Sequence, residues 1–394
     1  MSEVAQAPQL RFPEFNHDWS ISTIGNLAKI DTGNRDTQDR VNSGKYPFYV
    51  RSNTVERINE YTFDGEAILT SGDGVGVGKN FHYVIGKFNY HQRVYSIHNF
   101  TNLTNGKFVY YYFADKFYRR VSRLSAKNSV DSVRMSMISD MPISIPTKPE
   151  QQKIAEFLTA VDNKIEQLSK KQALLGEYKK GLMQQIFSQA IRFKADDGSD
   201  FPDWEEKKLG GVVDNVGGTA LEKYTNPKET HKFISIGNYG VDGKYIDNGQ
   251  RVELNNKTKT KLLDKDNLVM VLNDKTAAGN IVGSTILIDE SDSYIYNQRS
   301  ERLICKSELF PIFAWHYLNS KIFRKSVYSI SQGGTQIYVN FPSVKELNFS
   351  LPSLLEQTKI ANFLSSIDTK IEQVGGQLDE SKQFKKALLQ QMFV

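Results

Sequence analysis

Cysteine is nearly absent from this sequence, since Cys305 is the only one. A single cysteine excludes an internal disulfide framework and any zinc site built from several thiolates. Such usage is typical of a reducing compartment, so we expect a cytoplasmic protein. No run approaches the ~18 apolar residues that a membrane-spanning helix needs. Residues 1–8 lack a basic stretch followed by an apolar core, so we expect neither a secretory signal nor a membrane partner.

Recognisable catalytic motifs are also missing. In the glycine-rich segment 72–79, Asp73 and Asn80 occupy the positions where a Walker phosphate loop needs a glycine and a Ser or Thr. We therefore interpret the segment as a flexible or tightly turning surface loop. The histidines lack metal-ligand spacing, and no serine lies in a nucleophile elbow. The Asn/Asp-Pro-Pro-aromatic motif of amino-methyltransferases does not occur. We therefore predict no catalytic residue and no metal site in this chain.

The excess of positive charge is small. The 394 residues include 50 Lys and Arg against 45 Asp and Glu, which gives a net charge of +5. This balance permits a polyanionic partner but does not demand one. The chain is too long for one ordinary core, and its 39% of hydrophobic residues suffices for two or three folded domains.

The sequence repeats itself at a constant offset of 206 residues. Residues 150–167 read EQQKIAEFLTAVDNKIEQ, and residues 356–373 read EQTKIANFLSSIDTKIEQ. The agreement resumes with KKGLMQQIF at 179–187 and KKALLQQMF at 385–393. The chain is therefore two copies of one unit, each consisting of a globular domain followed by a helix.

The repeat predicts the domain boundaries. We expect a first domain over residues 1–149 and a central spacer helix over 150–190. A second domain would cover residues 191–355, and a C-terminal spacer helix would cover 356–394.

Both spacer helices are predicted from hydrophobic spacing. Apolar residues alternate three and four positions apart over four heptads, which is typical of a coiled coil. In the first helix Gln172 and Lys179 occupy polar positions of this seam. Each helix would be ~60 Å long at ~1.5 Å per residue, and an antiparallel pairing would bury both seams with one domain at each end. The seam residues expected to pair the helices are Leu158, Val161, Ile165, Leu168, Leu182, Leu364, Ile367, Ile371, Val374 and Leu388.

The domains show short β-branched or aromatic segments bounded by Gly, Asn and Asp, which are strand signals. Amphipathic helices are predicted over Phe108–Val121 and Pro311–Val327. We expect an α+β fold with twisted, mostly antiparallel sheets, two long helices in an antiparallel coiled coil, and a pseudo-twofold internal repeat. The predicted strands include residues 66–70, 82–85, 94–97, 232–236, 268–272 and 284–288.

Basic and amide side chains in the loops are candidates for contact with phosphates or base edges. Arginine binds guanine and Gln or Asn binds adenine in a major groove. The Gln-Arg pairs that recur at 92–93 and 298–299 are equally compatible with a structural role. The candidates are Arg35, Arg51, Lys79, Arg93, Arg123, Lys127 and Arg134 in the first domain, and Lys223, Lys275, Arg299, Gln332 and Gln336 in the second.

The doubled element resembles the specificity (S) subunit of type I restriction–modification systems. It has the pattern P-x-x-x-E-Q-x-K-I-A-x-F-L-x-x-[VI]-D-x-K-I-E-Q, from Pro146 to Gln167 and from Pro352 to Gln373. The Arg-Phe…Trp sequences that begin each half and the Gly-Gly-Thr-Gln loop at 333–336 are also typical of this family. The resemblance covers essentially the whole chain, but the first copy has Asn-Ser-Val-Asp in place of the Gly-Gly-Thr-Gln loop.

The resemblance implies that each domain is a target recognition domain that reads one half of a bipartite, asymmetric site in double-stranded DNA. The paired helices would fix the gap between the halves and dock two methyltransferase (M) subunits, which support two restriction (R) subunits. The ten seam residues named above are therefore candidates for methyltransferase docking as well as for helix pairing. The chain would be a non-catalytic subunit without a cofactor of its own. The partners would use S-adenosylmethionine, ATP and Mg for adenine-N6 methylation and ATP-dependent cleavage.

Two other classes of function are compatible with the sequence. The weak net charge also fits a two-domain protein-interaction scaffold whose helices dimerise and which reads no DNA. A self-contained DNA enzyme is disfavoured by the missing catalytic motifs.

Overall fold

The computed structural model describes residues 4–5, 8–74, 76–124 and 132–393. The chain divides into two compact units. The first consists of Met1–Lys170 with Gly375–Val394, and the second is Lys171–Val374. Each long helix contributes to both units, because the first helix begins in the first unit and the second helix ends there.

The first unit contains a mixed sheet and a small antiparallel sheet. The mixed sheet has the strand order β3-β8-β6-β7-β4-β5, in which β4 and β7 pair in parallel and the other neighbours are antiparallel. The small sheet has the order β1-β2-β9. The strands are β1 (Val4–Ala5), β2 (Trp19–Thr23), β3 (Lys29–Thr32), β4 (Tyr46–Tyr49), β5 (Val55–Ile58), β6 (Phe63–Ser71), β7 (Phe81–Tyr90), β8 (Val94–His98) and β9 (Pro142–Ile145). The helices are α1 (Ile24–Leu27), α2 (Gly106–Leu124), α3 (Met135–Ser139) and the first part of α4 (Lys148–Phe187).

The core of the first unit forms around helix α2. Its apolar residues recur three to four positions apart, so they lie on one face of the helix. Phe108, Phe113 and Phe117 are completely buried, and the rings of the last two stack with centroids 4.3 Å apart. Trp19 from β2 packs against Phe108 with ring centroids 6.1 Å apart. The helix predicted over Phe108–Val121 is thus confirmed, and it covers the sheet.

The second unit has the same mixture of elements in several smaller sheets. Their strand orders are β11-β18-β14-β16, β13-β12-β17, β10-β20 and β15-β19, with β12 and β17 parallel. The strands are β10 (Glu205–Lys208), β11 (Val213–Gly217), β12 (His231–Ile234), β13 (Arg251–Val252), β14 (Leu268–Val271), β15 (Asn273–Asp274), β16 (Thr285–Leu287), β17 (Tyr294–Tyr296), β18 (Ser300–Cys305), β19 (Ile337–Tyr338) and β20 (Asn348–Leu351). The helices are α5 (Leu209–Val212), α6 (Pro311–Leu318), α7 (Lys321–Ser329), α8 (Phe341–Lys345) and α9 (Leu354–Met392).

The single helix predicted over Pro311–Val327 is wrong, because the chain breaks between α6 and α7. Asn319 leaves the helix, and its side chain accepts a hydrogen bond from the backbone N–H of Thr285 at 3.0 Å. Its amide also donates to the Thr285 carbonyl at 2.8 Å. Ser320 then caps α7, since its hydroxyl accepts from the N–H of Phe323 at 3.2 Å.

The two long helices bury their predicted seams within each unit. In the first unit Leu158 of α4 shares one core with Leu388 and Met392 of α9. In the second unit Ile186 of α4 shares a core with Leu364 of α9. The α+β class with two long paired helices is therefore confirmed. Among the predicted seam residues, Leu158, Leu168, Leu364, Ile367, Val374 and Leu388 are buried, and Val161, Ile165, Leu182 and Ile371 are half-buried.

The repeated Glu-Gln pair attaches the start of α4 to the first domain. Glu150 is buried, and its carboxylate accepts two hydrogen bonds from the Arg11 guanidinium, at 2.7 and 2.8 Å. It also accepts from the indole N–H of Trp19 at 3.3 Å. The Gln151 amide donates to the carbonyls of Leu103 and Pro146 at 3.1 and 2.8 Å.

The second repeat has the same attachment. The carboxylate of Glu356 accepts from the Arg192 guanidinium at 2.8 and 2.9 Å and from the Trp204 indole at 3.0 Å. The Gln357 amide donates to the carbonyls of Glu308 and Pro352 at 2.9 and 2.8 Å. The element that identifies the repeat in the sequence thus joins each helix to its own domain.

In the described part of the chain, no helix combines the length and the apolar character needed to span a membrane.

Candidate nucleic-acid interface

In the first unit, three chain segments meet at one end of the mixed sheet. They are the turn 91–93 between β7 and β8, the loop 72–80 between β6 and β7, and the residues that precede α3. The N–H of Gly72 donates to the carbonyl of Arg93 at 2.7 Å, and the N–H of Val133 donates to the carbonyl of Gly72 at 2.7 Å. Residue 72 therefore holds the two neighbouring segments together.

Two predicted DNA-binding arginines converge at this junction on one carboxylate. The Asp73 carboxylate lies 3.0 Å from Nη1 of Arg51 and 3.7 Å from Nε of Arg93. The side chains of the two arginines are 47% and 65% exposed, so they remain accessible from solvent. Sequence reasoning did not identify Asp73 as their common partner.

Arg35 and Lys79 lie beside the same junction. The carbonyl of Arg35 accepts from the N–H of Gln92 at 2.8 Å, and its guanidinium is paired with Glu60. The exposed ammonium of Lys79 lies 5.4 Å from the centroid of the Tyr118 ring on α2. Four of the predicted residues, Arg35, Arg51, Lys79 and Arg93, are thus brought together.

The remaining candidates of the first domain are placed differently. Arg123 is exposed near the end of α2, where its Nε donates to the carbonyl of Arg119 at 3.4 Å. Arg134 is exposed and precedes α3, next to Val133 of the junction. Lys127 lies outside the described residues, as do residues 128–131 that replace the Gly-Gly-Thr-Gln loop.

The glycine-rich loop is built for a tight turn. A Cβ atom on Gly76 would lie 2.0 Å from Nδ2 of Asn80. That amide donates instead to the carbonyl of Arg51 at 3.0 Å. Gly78 has a φ of 66°, in the region that favours glycine. Asn80 therefore fastens the loop beside Arg51, which agrees with a tightly turning loop.

The second unit repeats the backbone junction. The N–H of Leu272 donates to the carbonyl of Arg299 at 2.9 Å, and the N–H of Val339 donates to the carbonyl of Leu272 at 2.9 Å. The turn itself is also repeated. The N–H of Arg299 donates to Oδ1 of Asn297 at 3.1 Å, as the N–H of Arg93 donates to Nδ1 of His91 at 2.9 Å.

In the recurring Gln-Arg pairs the backbone therefore has a structural role, while the side chains are exposed. Arg93 and Arg299 use their peptide groups to hold the junction, while their guanidinium groups are free of the core. Gln92 is exposed and donates to Oδ2 of Asp36 at 2.9 Å.

The loop with the Gly-Gly-Thr-Gln sequence joins this second junction. The backbones of Gln332 and Tyr338 exchange two hydrogen bonds, of 2.8 and 2.9 Å. Strand β19 pairs with β15, and Ile337 lies opposite Asp274. Gln336 and Lys275, which are adjacent to these two residues in the chain, therefore lie at the same end of this strand pair. Gln332, Gln336 and Lys275 are all exposed. Gly333 has a φ of 101°, and a Cβ there would lie 2.1 Å from the carbonyl oxygen of Gln336.

A buried aspartate shapes the loop that carries Lys275. Asp274 accepts from the N–H of Thr276 at 2.9 Å and from the N–H of Ile281 at 2.8 Å. Burial raises the pKa of Asp274, but these hydrogen bonds outweigh it and bring the pKa below its usual value. The carboxylate stays charged and fixes the turn that exposes Lys275.

Two further lysines lie near this junction. Lys223 is exposed in a short 3-10 turn whose Glu222 accepts from the Asn297 amide at 3.0 Å. Lys261, which sequence reasoning missed, donates to the carbonyl of Gly217 at 2.6 Å at the end of β11. The alternating lysines at 257, 259 and 261 were the available sequence signal.

The described residues contain no group of three or more His, Cys, Asp or Glu side chains that could hold a metal ion. The thiol of Cys305 is partly buried against the core of the second unit. Burial, followed by the charge of Asp266, raises its pKa to about 12. A thiol with such a pKa is a poor nucleophile at neutral pH.

A family model described as "Type I restriction modification DNA specificity domain" matches residues 16–175 and 202–381. The type I restriction enzyme MjaVIII specificity subunit of Methanocaldococcus jannaschii is 26% identical over 402 residues, which cover 96% of this chain and 92% of that protein. The EcoDI specificity subunit of Escherichia coli is 27% identical over 209 residues, or 53% of this chain and 45% of that protein.

Solved structures show the same fold. The type I restriction–modification S subunit from M. genitalium superimposes with a TM-score of 0.65 at 18% identity, covering 99% of both chains. A chain from a structural study of the assembly and conformational transition of the type I R-M system superimposes with a TM-score of 0.54 at 14% identity, covering 94% of this chain and 96% of that one. Since the family model matches well over half of the residues, this chain belongs to the family of type I restriction modification DNA specificity proteins.

Proposed function

We propose that this chain is the specificity subunit of a type I restriction–modification enzyme, and that its two junctions read the two halves of a bipartite DNA site. The observation that carries the proposal is one backbone junction presented twice, with the exposed Arg93 and Arg299 in common and with different side chains in the loops beside them. The first junction exposes Arg51, Lys79 and Arg93, and the second exposes Lys275 and Gln332 with its neighbours. Different side chains on equivalent scaffolds suit half-sites of different sequence.

The chemistry of the side chains suggests what each half-site contains. Arg93, whose side chain is 65% exposed near the end of the sheet, suits bidentate contact with guanine. Gln332 and Gln336 suit adenine. Lys79, Lys223 and Lys261 suit phosphate contacts, which position a protein on DNA without reading its sequence.

The test is methylome sequencing of the host with and without this chain. Deletion should remove one bipartite N6-methyladenine motif, and re-expression should restore it. A methylome that does not change on deletion would contradict DNA readout and favour an interaction scaffold. As a second test, residues 20–140 would be exchanged for those of a relative. This exchange should alter one half of the motif and leave the other half and the gap unchanged.

We further propose that the chain docks two methyltransferase subunits through its helices, and that these support two restriction subunits. Tyr178 of α4 and Phe384 of α9 occupy equivalent positions in the two repeats and are 56% and 52% exposed. Two equivalent exposed aromatic residues suit two copies of one partner.

Co-purification measures this stoichiometry. Tyr178→Ser or Phe384→Ser should each reduce the bound methyltransferase from two copies towards one. Leu174→Ser is the matched control, because Leu174 is 60% exposed and its counterpart in the second repeat is the charged Glu380. Unchanged binding in both aromatic variants would argue for a different docking surface.

The chemistry would belong to these partners. They would use S-adenosylmethionine to methylate adenine, and ATP with Mg to translocate and cleave DNA, while this chain selects the sequence. The purified chain incubated with DNA, S-adenosylmethionine, ATP and Mg should neither methylate nor cleave. Either product from the chain alone would contradict a non-catalytic role.

A further inference from the structure

Lys179, a polar residue in the hydrophobic seam of α4, makes a close ion pair with α9. Its ammonium lies 2.7 and 2.6 Å from the two carboxylate oxygens of Asp368. Both side chains are only 13% exposed. The ring of Trp315 lies 5.2 Å from the same ammonium, so the pair is largely shielded from water.

The first unit contains the matching pair, in which α4 supplies the aspartate and α9 supplies the lysine. The Asp162 carboxylate of α4 lies 2.6 Å from the ammonium of Lys385 in α9. The hydroxyl of Tyr111 donates to this carboxylate at 2.9 Å. The side chains of Asp162 and Lys385 are 33% and 28% exposed. The two aspartates occupy equivalent positions in the repeat, and so do the two lysines.

A hydrophobic seam alone does not define how two helices align along their axes. A slide by one heptad, about 10 Å, again sets apolar residues against apolar residues. Buried polar or charged residues remove this ambiguity, because a slide would leave them without partners in an apolar seam. Each helix here contributes one aspartate and one lysine, so a slide in either direction separates both pairs together.

We propose that the pairs Lys179–Asp368 and Asp162–Lys385 fix the axial register of α4 against α9, and thereby the number of base pairs between the two half-sites. The second part of this inference rests on the proposed function. A slide of about 10 Å corresponds to roughly three base pairs at 3.4 Å per step. These four side chains are positioning residues that touch neither DNA nor any reacting group.

The first test measures register without DNA, by pulsed electron spin resonance on the full chain. The background variant is Cys305→Ser with spin labels on cysteines introduced at Ala173 and Lys370, two exposed positions of the second unit. With the native pairs we expect one label distance. The variant Asp162→Lys/Asp368→Lys sets lysine against lysine in both pairs, and it should show a second population displaced by up to about 10 Å.

Restoring the charges in reverse tests the pairing itself. Adding Lys179→Asp and Lys385→Asp to that variant should recover the single native distance. The matched control is Lys180→Asp/Lys386→Asp, which changes two exposed lysines at equivalent positions and should leave the distance unchanged. If the variant Asp162→Lys/Asp368→Lys does not fold, Asp162→Asn/Asp368→Asn replaces it in the test. The register assignment is overturned if a folded variant that lacks both aspartates keeps the native label distance. It is also overturned if the charge-reversed variant, with lysine at 162 and 368 and aspartate at 179 and 385, keeps the displaced distance.

The second test reads the gap between half-sites in host methylomes. The variant Asp162→Lys/Asp368→Lys should lose the motif or methylate it with a gap altered by about three base pairs. The charge-reversed variant, which adds Lys179→Asp and Lys385→Asp, should restore the native gap. A displaced label distance with an unchanged gap would overturn the DNA part of the inference. If the native chain directs no bipartite methylation, the proposed function fails, and the spin-label result still decides the register.

Discussion

Asp73 lies between the guanidinium groups of Arg51 and Arg93, 3.0 Å from Nη1 of the first and 3.7 Å from Nε of the second. A carboxylate at this place orients two candidate base readers and repels DNA phosphates. Orientation and repulsion act on different measurable quantities, namely discrimination between sequences and non-specific affinity.

Asp73→Asn should therefore increase non-specific DNA affinity a few-fold at low salt and reduce discrimination at one half-site. The negative charge that attracts both arginines is lost, and the Asn side chain keeps only one acceptor oxygen in place of two. Fluorescence anisotropy with specific and random duplexes over a range of salt concentrations measures both effects. Asp64→Asn is the control, because Asp64 is also paired with a basic side chain, that of Lys87, but lies in β6 at the end of the strand opposite this junction. Equal effects of the two substitutions would contradict a special role for Asp73.

Gly333→Ala should abolish recognition of the second half-site and leave the first intact. The φ of 101° and the 2.1 Å approach to the Gln336 carbonyl leave no room for a methyl group. Gly334→Ala is the matched control, since an added Cβ there meets nothing within 4 Å. Methylome sequencing of both variants separates a local loop defect from general unfolding, because unfolding would remove the motif in both halves.

Glu150→Gln should lower the free energy of unfolding of the first unit by about 3 kcal/mol, the low end for breaking a buried ion pair. The Glu150 side chain is 1% exposed and its Arg11 partner is 16% exposed, so the substitution leaves the guanidinium poorly compensated. Urea unfolding monitored by circular dichroism, together with thermal unfolding in a calorimeter, provides the measurement. Glu156→Gln, an exposed position on the same helix, should change stability by less than about 0.5 kcal/mol.

The stability of the second unit should fall as the pH drops below 6.5. Burial, and then the charges of Lys179 and Lys244, lower the pKa of His316 well below its ordinary 6.5. The unfolded chain therefore binds the proton more readily than the folded chain. The contribution of His316 is complete above pH 6.5 and is lost at lower pH, with a slope of at most about 1.4 kcal/mol per pH unit.

Calorimetry at pH 7.5 and 5.5 measures this contribution. His316→Gln should reduce the difference in Tm between the two pH values, whereas the same substitution at the exposed His17 should preserve it. An equal pH dependence in the wild-type chain and in His316→Gln would show that other groups dominate acid destabilisation.

An insertion of four residues within one spacer helix should change the gap between half-sites or abolish binding, without changing the bases that are read. Four residues lengthen a helix by about 6 Å and rotate everything beyond them by about 40°. Methylome sequencing reports the gap and the bases separately. An unchanged gap would contradict the role of the helices as a spacer.

The long helices could be predicted from the sequence because their signal is periodic and local. The structural role of Glu150 could not be predicted in this way, because its partner Arg11 is 139 residues away in the chain. The break at Asn319 depends on hydrogen bonds to Thr285, which local helix propensity cannot report. Residue type alone predicts Arg51 and Arg93 as candidates for DNA contact, whereas their convergence on Asp73 arises only when separate loops meet in the fold.

The shared helices also constrain the order in which the protein is made. Phe393 packs against Phe108 with ring centroids 5.4 Å apart, so the core of the first unit includes residues from beyond the second unit. A ribosome adding about 5–20 residues per second needs roughly 10–40 s to synthesise the intervening stretch of about 200 residues. During this interval the apolar surface that receives Leu388, Met392 and Phe393 is uncovered. The domain synthesised first is therefore completed last, and a nascent chain stalled within α9 presents this surface to chaperones.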